Sequence, residues 1–413
     1  MDTKTLAQAA RSAAVQLAAL PTQTKNAVLR DLAERIESQR DAIAQANQRD
    51  LVAARRAGIG EAKLRRLTLS LDGVAQMAAG LRQIAELPDP VGAVTKDVVV
   101  PSGLRVRKVR CPIGVIMMIY EARPNVTIDA FALCFKAGNA CILKGGREAA
   151  HSNRLLVELA IASLSAHGAP SEAIALLTTS DRDEIKRLLS LDEYIDLVIP
   201  RGGAQLIRFV HEHSRIPTVQ HFHGVCHIYV DAAADVKQAI QICTTAKTSA
   251  PATFNAAECL LVHESLAPRL LPELGRRLAD EGVEIRGDER VCELCPQAMP
   301  ANDDDWGREF LDLILAIKVV SDVDEAIAHI QRHASGHTEA ILTRDESTAD
   351  EFVRRVQSSC VLVNASTRFN DGFQLGLGAE IGISTCKIHA YGPMGLEELT
   401  AQRYVVVGDG QVR

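Results

Sequence analysis

The chain has 413 residues, of which 47% are hydrophobic and 24% charged, and its formal net charge is -6. That length exceeds a typical single core and suits two α/β domains with an appendage. Its Lys and Arg residues are scattered among acids rather than gathered in the basic stripe of a nucleic-acid binder, and no run of eighteen apolar residues offers a membrane span.

The polar segment Met1–Ala10 lacks the apolar stretch of a secretory signal, so a cytoplasmic protein is expected. The ten cysteines then read as reduced thiols, mostly small hydrophobes in apolar segments. Cys292 and Cys295 form one C-x-x-C, but a structural zinc site would want two further Cys or His at suitable spacing, and no second pair stands close in sequence.

Residues 1 to about 90 are rich in Ala, Leu, Arg, Glu and Gln, with apolar residues three and four apart, as at Val28, Leu29, Leu32 and Ile36. This predicts amphipathic helices packed on something larger. Leu104–Arg110 alternates apolar and basic residues and predicts a half-exposed strand. Ile113–Tyr120 is a continuous apolar run, short enough for a buried parallel strand. A helix over about 128–137, a strand at 139–144, a helix over 148–167 and strands at 173–177 and 195–200 continue the alternation, which marks a doubly wound parallel sheet. A second unit starts near His227. Its strands include 259–262 and 360–363, its helices 266–281 and 323–333, and a short strand at 404–407 ends the chain.

Several segments, in order over nearly the whole chain, carry a resemblance. They are Tyr120–Thr127 (YEARPNVT), Leu143–Ala149 (LKGGREA), Ile199–Gly203 (IPRGG), Gly224–Asp231 (GVCHIYVD), Ser335–Ile341 (SGHTEAI), Val363–Phe369 (VNASTRF), Gly376–Ile381 (GLGAEI) and His389–Gly395 (HAYGPMG). Together they resemble the γ-glutamyl phosphate reductases of the aldehyde dehydrogenase superfamily. The resemblance implies an aldehyde dehydrogenase-like α/β fold with two doubly wound parallel-sheet domains and a small β oligomerisation arm. The expected division is 1–225 for the cofactor, with part of 366–397 returning to it, 226–365 for catalysis, and 99–112 with 400–413 as the arm of a homo-oligomer. It also implies reduction of γ-glutamyl phosphate by NADPH to glutamate 5-semialdehyde, a step of proline biosynthesis, through a cysteine thioester.

Site residues follow from these segments. Asn125 fits the side-chain donor of an oxyanion hole; read alone, its amide could equally cap the helix that opens near Thr127. Lys144 ends a strand before Gly145 and Gly146, where superfamily lysines contact the adenosine ribose; alone it reads as a strand-end lysine reaching water. Arg201, Gly202 and Gly203 lie at a strand's carboxyl end, where open sheets bind ligands, and Glu380 corresponds to an acid near the nicotinamide ribose. Arg123, Asn364, Ser366, Thr367 and Arg368 are candidates for the substrate's carboxylate or phosphate, with a polar loop as the plain alternative. No metal is expected: His221, His223 and His227 are spaced H-x-H-x3-H, but without a nearby cysteine pair a satisfied strand-edge histidine is the better reading.

One departure bears on all of this. The family's nucleophile motif runs Pro, two small residues, Cys, Asn, two variable residues, Glu, then an apolar run. Here Pro251, Asn255, Glu258 and Leu260–Val262 fix the register, and Phe254 falls on the cysteine. A thiolate is the attacking species in such chemistry, and a phenyl ring cannot attack. Cys259 is roughly 16 Å along an extended chain from Phe254, Cys243 sits eight residues before Pro251, and only the fold could bring Cys226 or Cys386 near. Tyr391 and Ala250 are two further departures, where relatives commonly carry Arg. Three readings stay open: a reductase with weak or absent activity, in which a different residue or a direct hydride transfer does the work; a catalytically silent paralogue that keeps the fold and nucleotide binding and acts as a regulatory or assembly partner; or non-redox chemistry, such as hydrolysis, in the inherited pocket.

Overall fold

The computed structural model describes residues 2–179, 181–219 and 223–413. The chain divides into two compact units, one of Met1–Gln220, Leu377–Gly382 and Met394–Arg413, the other of His221–Gly376 and Ile383–Pro393.

The first unit opens with five helices, α1 (Thr3–Leu17), α2 (Thr22–Ser38), α3 (Arg40–Arg56), α4 (Glu61–Leu67) and α5 (Leu71–Glu86). Side-chain caps start two of them: Asp2 accepts from the N–H groups of Lys4 and Thr5, and the Ser70 hydroxyl accepts from Gly73 N–H. The predicted stripe Val28, Leu29, Leu32 and Ile36 is fully buried. Next comes an antiparallel sheet in which β2 (Arg105–Pro112) lies between β1 (Val94–Val99) and the C-terminal strand β16 (Thr400–Val407).

The unit's core is a four-stranded parallel sheet in the order β5-β4-β3-β6, from β3 (Val115–Tyr120), β4 (Ala140–Lys144), β5 (Ile174–Leu176) and β6 (Leu197–Arg201). Every residue of β3 and β4 is buried, as their unbroken apolar runs require. Helices α6 (Asn125–Lys136), α7 (Ala150–Ala166) and α8 (Arg182–Leu189) connect these strands, and α9 (Ala204–His213) follows β6. The helix expected from residue 128 therefore starts three residues earlier. Pro124 already has helical angles, so Asn125 is the first helical residue instead of a cap.

The second unit is built on a parallel sheet of seven strands. Their order is β10 (Met299–Pro300), β9 (Glu284–Gly287), β11 (Ile314–Val320), β8 (Ala257–His263), β7 (Cys226–Val230), β12 (Thr338–Leu342) and β13 (Cys360–Val363). The connecting helices are α10 (Val236–Thr248), α11 (Ala267–Asp280), α12 (Glu289–Leu294), α13 (Val323–His333) and α14 (Glu346–Arg355). Asp235, Asp288, Asp322 and Asp345 each cap one of them. Short strands β14 (Gly382–Ser384) and β15 (Gly392–Met394) stand where the chain crosses between units. No helix among the described residues is long and apolar enough to cross a membrane.

Candidate active site

In the first unit, the expected residues collect at the carboxyl ends of β3, β4 and β6. Asn125 does not cap its helix: its Nδ2 donates to Asp129 Oδ2, one turn on, at 3.0 Å. Burial pushes Asp129 up to about 6, against the opposing pull of Asn125 and Arg201. Asn125 is therefore oriented by an acid that sequence reading missed, although their i, i+4 spacing on a helix was a usable sign.

Lys144 is 9% exposed and its Nζ donates to Gly145 O at 2.7 Å; it does not reach freely into water. Burial lowers its pKa, and Glu148 opposes that. Around it the backbone must stay bare. A Cβ on Gly145 would stand 2.1 Å from Asn153 Nδ2, and one on Gly146 would stand 2.1 Å from Glu148 Oε1. Glu148 in turn accepts from Ala122 N–H at 2.8 Å, tying the loop after β4 to the loop after β3. At the end of β6, burial pulls Arg201 down while Glu380 and Asp129 oppose it, so Arg201, Glu380 and Asp129 form one charged group. Helix α9 begins at Gly203 without a side-chain cap, and nothing lies within 4 Å of a Cβ built there. Arg123 is exposed on the turn before Asn125.

In the second unit, Phe254 is half-buried on the turn between α10 and β8. The turn is held from several sides. Gly224 packs under it so closely that a Cβ would lie 2.0 Å from Phe254 O. Asn255 Nδ2 donates to Asn370 O at 3.0 Å. Arg368 donates through Nη1 to Thr253 Oγ1 at 2.9 Å and through Nε to Ser249 Oγ at 3.3 Å. Beneath the turn, Lys247 and Glu258 form a buried ion pair of 2.6 Å.

Of the second-unit residues expected on the substrate, Arg368 hydrogen-bonds through its side chain to the segment that leads into Phe254. The amide of Asn364, which adopts a φ of 54°, clasps both backbone groups of Thr343. Ser366 Oγ accepts from Arg368 N–H at 3.3 Å, and Thr367 is buried. Tyr391 donates its hydroxyl to Gln357 O at 2.7 Å.

The fold does bring Cys226 to Phe254, its Sγ donating to Phe254 O at 3.2 Å, and the Phe254 ring lies 5.4 Å from that of His337. Burial, reinforced by Glu339, pushes the Cys226 thiol well above its ordinary value, which keeps it protonated and poorly nucleophilic. Cys243 is driven up to about 12 by burial alone, and Cys259 is buried on β8. The Cys292 and Cys295 thiols turn to different acceptors, Gly287 O and Gln297 Oε1. Of the three spaced histidines, His221 lies outside the described residues, His223 is exposed, and His227 is buried with Nδ1 3.1 Å from Glu339 Oε2.

The aldehyde dehydrogenase family model matches residues 1–305. A γ-glutamyl phosphate reductase of Xanthomonas axonopodis pv. citri is 51% identical over 413 residues, all of both chains. The chain belongs to the γ-glutamyl phosphate reductases of the aldehyde dehydrogenase family. The crystal structure of the Thermotoga maritima γ-glutamyl phosphate reductase covers 100% of both chains with a TM-score of 0.97 at 43% identity. An acetylating aldehyde dehydrogenase from Geobacillus thermoglucosidasius, 16% identical with a TM-score of 0.71 and covering 100% of this chain and 97% of its own, shares the fold. The aldehyde dehydrogenase-like architecture expected from the motifs is thus the fold of this γ-glutamyl phosphate reductase family member.

Proposed function

We propose that this chain carries the pocket of an NADP(H)-dependent γ-glutamyl phosphate reductase of proline biosynthesis, with activity weak or absent because Phe254 occupies the place of the cysteine nucleophile. The observation that carries the reading is Phe254 itself. It sits on a turn whose neighbours Pro251, Asn255 and Glu258 keep the family's spacing, and Cys226, which donates to its carbonyl oxygen, is buried with its thiol pushed well above the ordinary value. Without a thiolate no acyl-enzyme forms, and the loss expected is several orders of magnitude in kcat/KM.

The remaining roles rest on the family resemblance. The first unit would take the cofactor and the second the substrate, with the sheet of β1, β2 and β16 joining copies into a cytoplasmic homo-oligomer. Lys144, Gly145, Gly146, Arg201, Gly202, Gly203 and Glu380 are the candidates for a nicotinamide dinucleotide: a Cβ at Gly203 would meet open space, but the Gly203 N–H itself donates to Glu121 Oε2 at 3.2 Å, so a phosphate at the start of α9 would have to displace that carboxylate or use the N–H groups that follow. That cofactor supplies hydride. Asn125, fixed by Asp129, offers an N–H to a developing oxyanion; in the second unit Ser366 and Thr367 are buried, which leaves Arg368 as the candidate there for the glutamyl end, and Arg123 is the exposed candidate of the first unit.

The test is NADP-linked oxidation of glutamate 5-semialdehyde in the presence of phosphate, run on the natural chain and on Phe254→Cys. A silent natural chain with activity gained in Phe254→Cys supports the reading. Ordinary turnover by the natural chain overturns it. Silence in both, with NADPH still bound, favours the second reading, a silent paralogue acting as a regulatory or assembly partner, for which the inert Cys226 also argues.

A further inference from the structure

A second cluster of reactive side chains lies in the same unit, on the face of the sheet covered by α13. Neighbouring parallel strands β7 and β8 place His227 beside Cys259, with a register shift just before the pair. His329 of α13 covers them from above. One ligand atom from each of the three residues lies within 4.8 Å of the others, and Cys259 Sγ is 3.8 Å from His329 Nε2. All three are buried, at 0%, 1% and 7% exposure for His227, Cys259 and His329.

Two features set this apart from an ordinary packed histidine cluster. First, His227 Nε2 is buried without a hydrogen-bond partner, and buried polar atoms are rarely left so. Its other nitrogen is spoken for. A carboxylate only accepts, so at 3.1 Å Nδ1–H donates to Glu339 Oε2, and Nε2 is the nitrogen that carries the lone pair. Carboxylate, histidine and metal in line is the usual way a ligating imidazole is oriented. Second, the cluster meets the surface. His329 also lines a cavity of about 500 Å³ with Trp306, Lys318, Glu325, Arg332 and His333.

We propose that His227, Cys259 and His329 form a binding site for a thiophilic transition-metal ion of the zinc class, with Glu339 as the positioning carboxylate. Two imidazoles and a thiolate are a borderline-soft donor set, and three protein ligands leave a fourth position for an exogenous one. Tetrahedral zinc asks for ligand atoms roughly 3.3 to 3.6 Å apart. The cysteine and His329 are already close to that, and the remaining closure is about an ångström. A divalent ion, one thiolate and Glu339 sum to zero, and of the two cations that line the cavity, Lys318 and Arg332, Lys318 is paired with Glu325 at 3.1 Å. The site uses none of the residues assigned to reduction, so it stands whether or not the Phe254 reading does.

Cobalt(II) and zinc(II) titrations of the full chain test it. One cobalt per chain is expected, with a thiolate-to-cobalt charge-transfer band in the near ultraviolet and tetrahedral visible bands, both abolished by zinc. Cys259→Ala should remove the charge-transfer band, and His329→Ala, on the cavity side, should weaken binding at least tenfold. Circular dichroism verifies the fold of each variant. Glu339→Gln should keep the band but weaken cobalt by roughly 10–100-fold, a graded effect that a merely structural role would not produce. Replacing both Cys292 and Cys295 by Ala should change nothing. No charge-transfer band on the natural chain at millimolar cobalt overturns the proposal. So does a band that survives Cys259→Ala or disappears with the C-x-x-C pair.

Discussion

Lys247→Met isolates the force that holds the Phe254 turn from below. Lys247 lies in the last turn of α10, Glu258 lies at the start of β8, and their 2.6 Å contact closes the base of the turn with both side chains 1% exposed or less. At an effective dielectric of about 20 the attraction is about 6 kcal/mol, yet each buried ion also forfeits several kcal/mol of hydration. Hydration wins at both ends: burial lifts Glu258 to about 7 despite Lys247, and lowers Lys247 despite Glu258. Methionine keeps the length of the side chain but leaves the carboxylate with one remaining donor, Leu311 N–H at 3.2 Å. An orphaned buried charge costs about 3–5 kcal/mol. Glu258 can escape that by taking up a proton. Its folded value lies above the ordinary 4.5, so the native state binds the proton more tightly than the unfolded chain, and stability is full below about 4.5 and falls as pH rises through 7. Lys247→Met raises the folded value further and steepens that fall. Urea unfolding should show a loss of about 3–5 kcal/mol at about pH 8.5 and under half of that at about pH 5.5. Adding Glu258→Leu should recover most of the loss at the higher pH. An equal loss at both pH values, or a double variant as unstable as the single one, would refute the argument.

Other expectations are simpler to state. Gly224→Ala drives a Cβ to 2.0 Å from Phe254 O, backbone that cannot swing aside; unfolding should show at least about 1–3 kcal/mol lost. Gly80→Ala, in the middle of α5 with nothing within 4 Å of the new carbon, should instead gain about 0.5–1 kcal/mol in the same assay. Asp129 sits above its ordinary 3.8 at about 6, so its contribution to stability is complete below 3.8 and lost as pH rises through 6. Asp129→Asn should flatten the pH profile of the melting temperature across that window, and an unchanged slope would count against the raised position of Asp129. Arg368→Lys keeps the charge but cannot span Thr253 and Ser249 with two fixed donors. In a Phe254→Cys background it should lower kcat/KM at least tenfold, and equal activity would remove Arg368 from the turn's support.

The parallel sheets were legible because buried strands are unbroken apolar runs: Ile113–Tyr120 led directly to β3, and 259–262 to the middle of β8. Helix ends were less so. Nothing local announces Asn125 as the first residue of α6, since the only mark is the helical conformation of Pro124. The closeness of Cys226 to Phe254 was out of reach of the sequence, because 28 residues separate them and only the pairing of Cys226 with Ala257 across β7 and β8 brings them together.

The histidines show the same limit from the other side. The spacing of His221, His223 and His227 drew attention to a local ligand set, and spacing is the only metal sign a single segment can give. The grouping that forms is non-local, one residue from each of β7, β8 and α13. Strand pairing supplies two of its members: the register that sets Cys226 against Ala257 moves on one residue in β8 and sets His227 against Cys259. That step connects the two sites. It turns Cys226 toward the Phe254 turn and leaves His227 and Cys259 side by side, so a change in register at Glu258 would disturb both. Glu258 is the unpaired residue of that step and the partner of Lys247. Lys247→Met should therefore weaken cobalt binding as well as the fold around Phe254. Cobalt affinity unchanged in a variant that loses stability as described would separate the two sites.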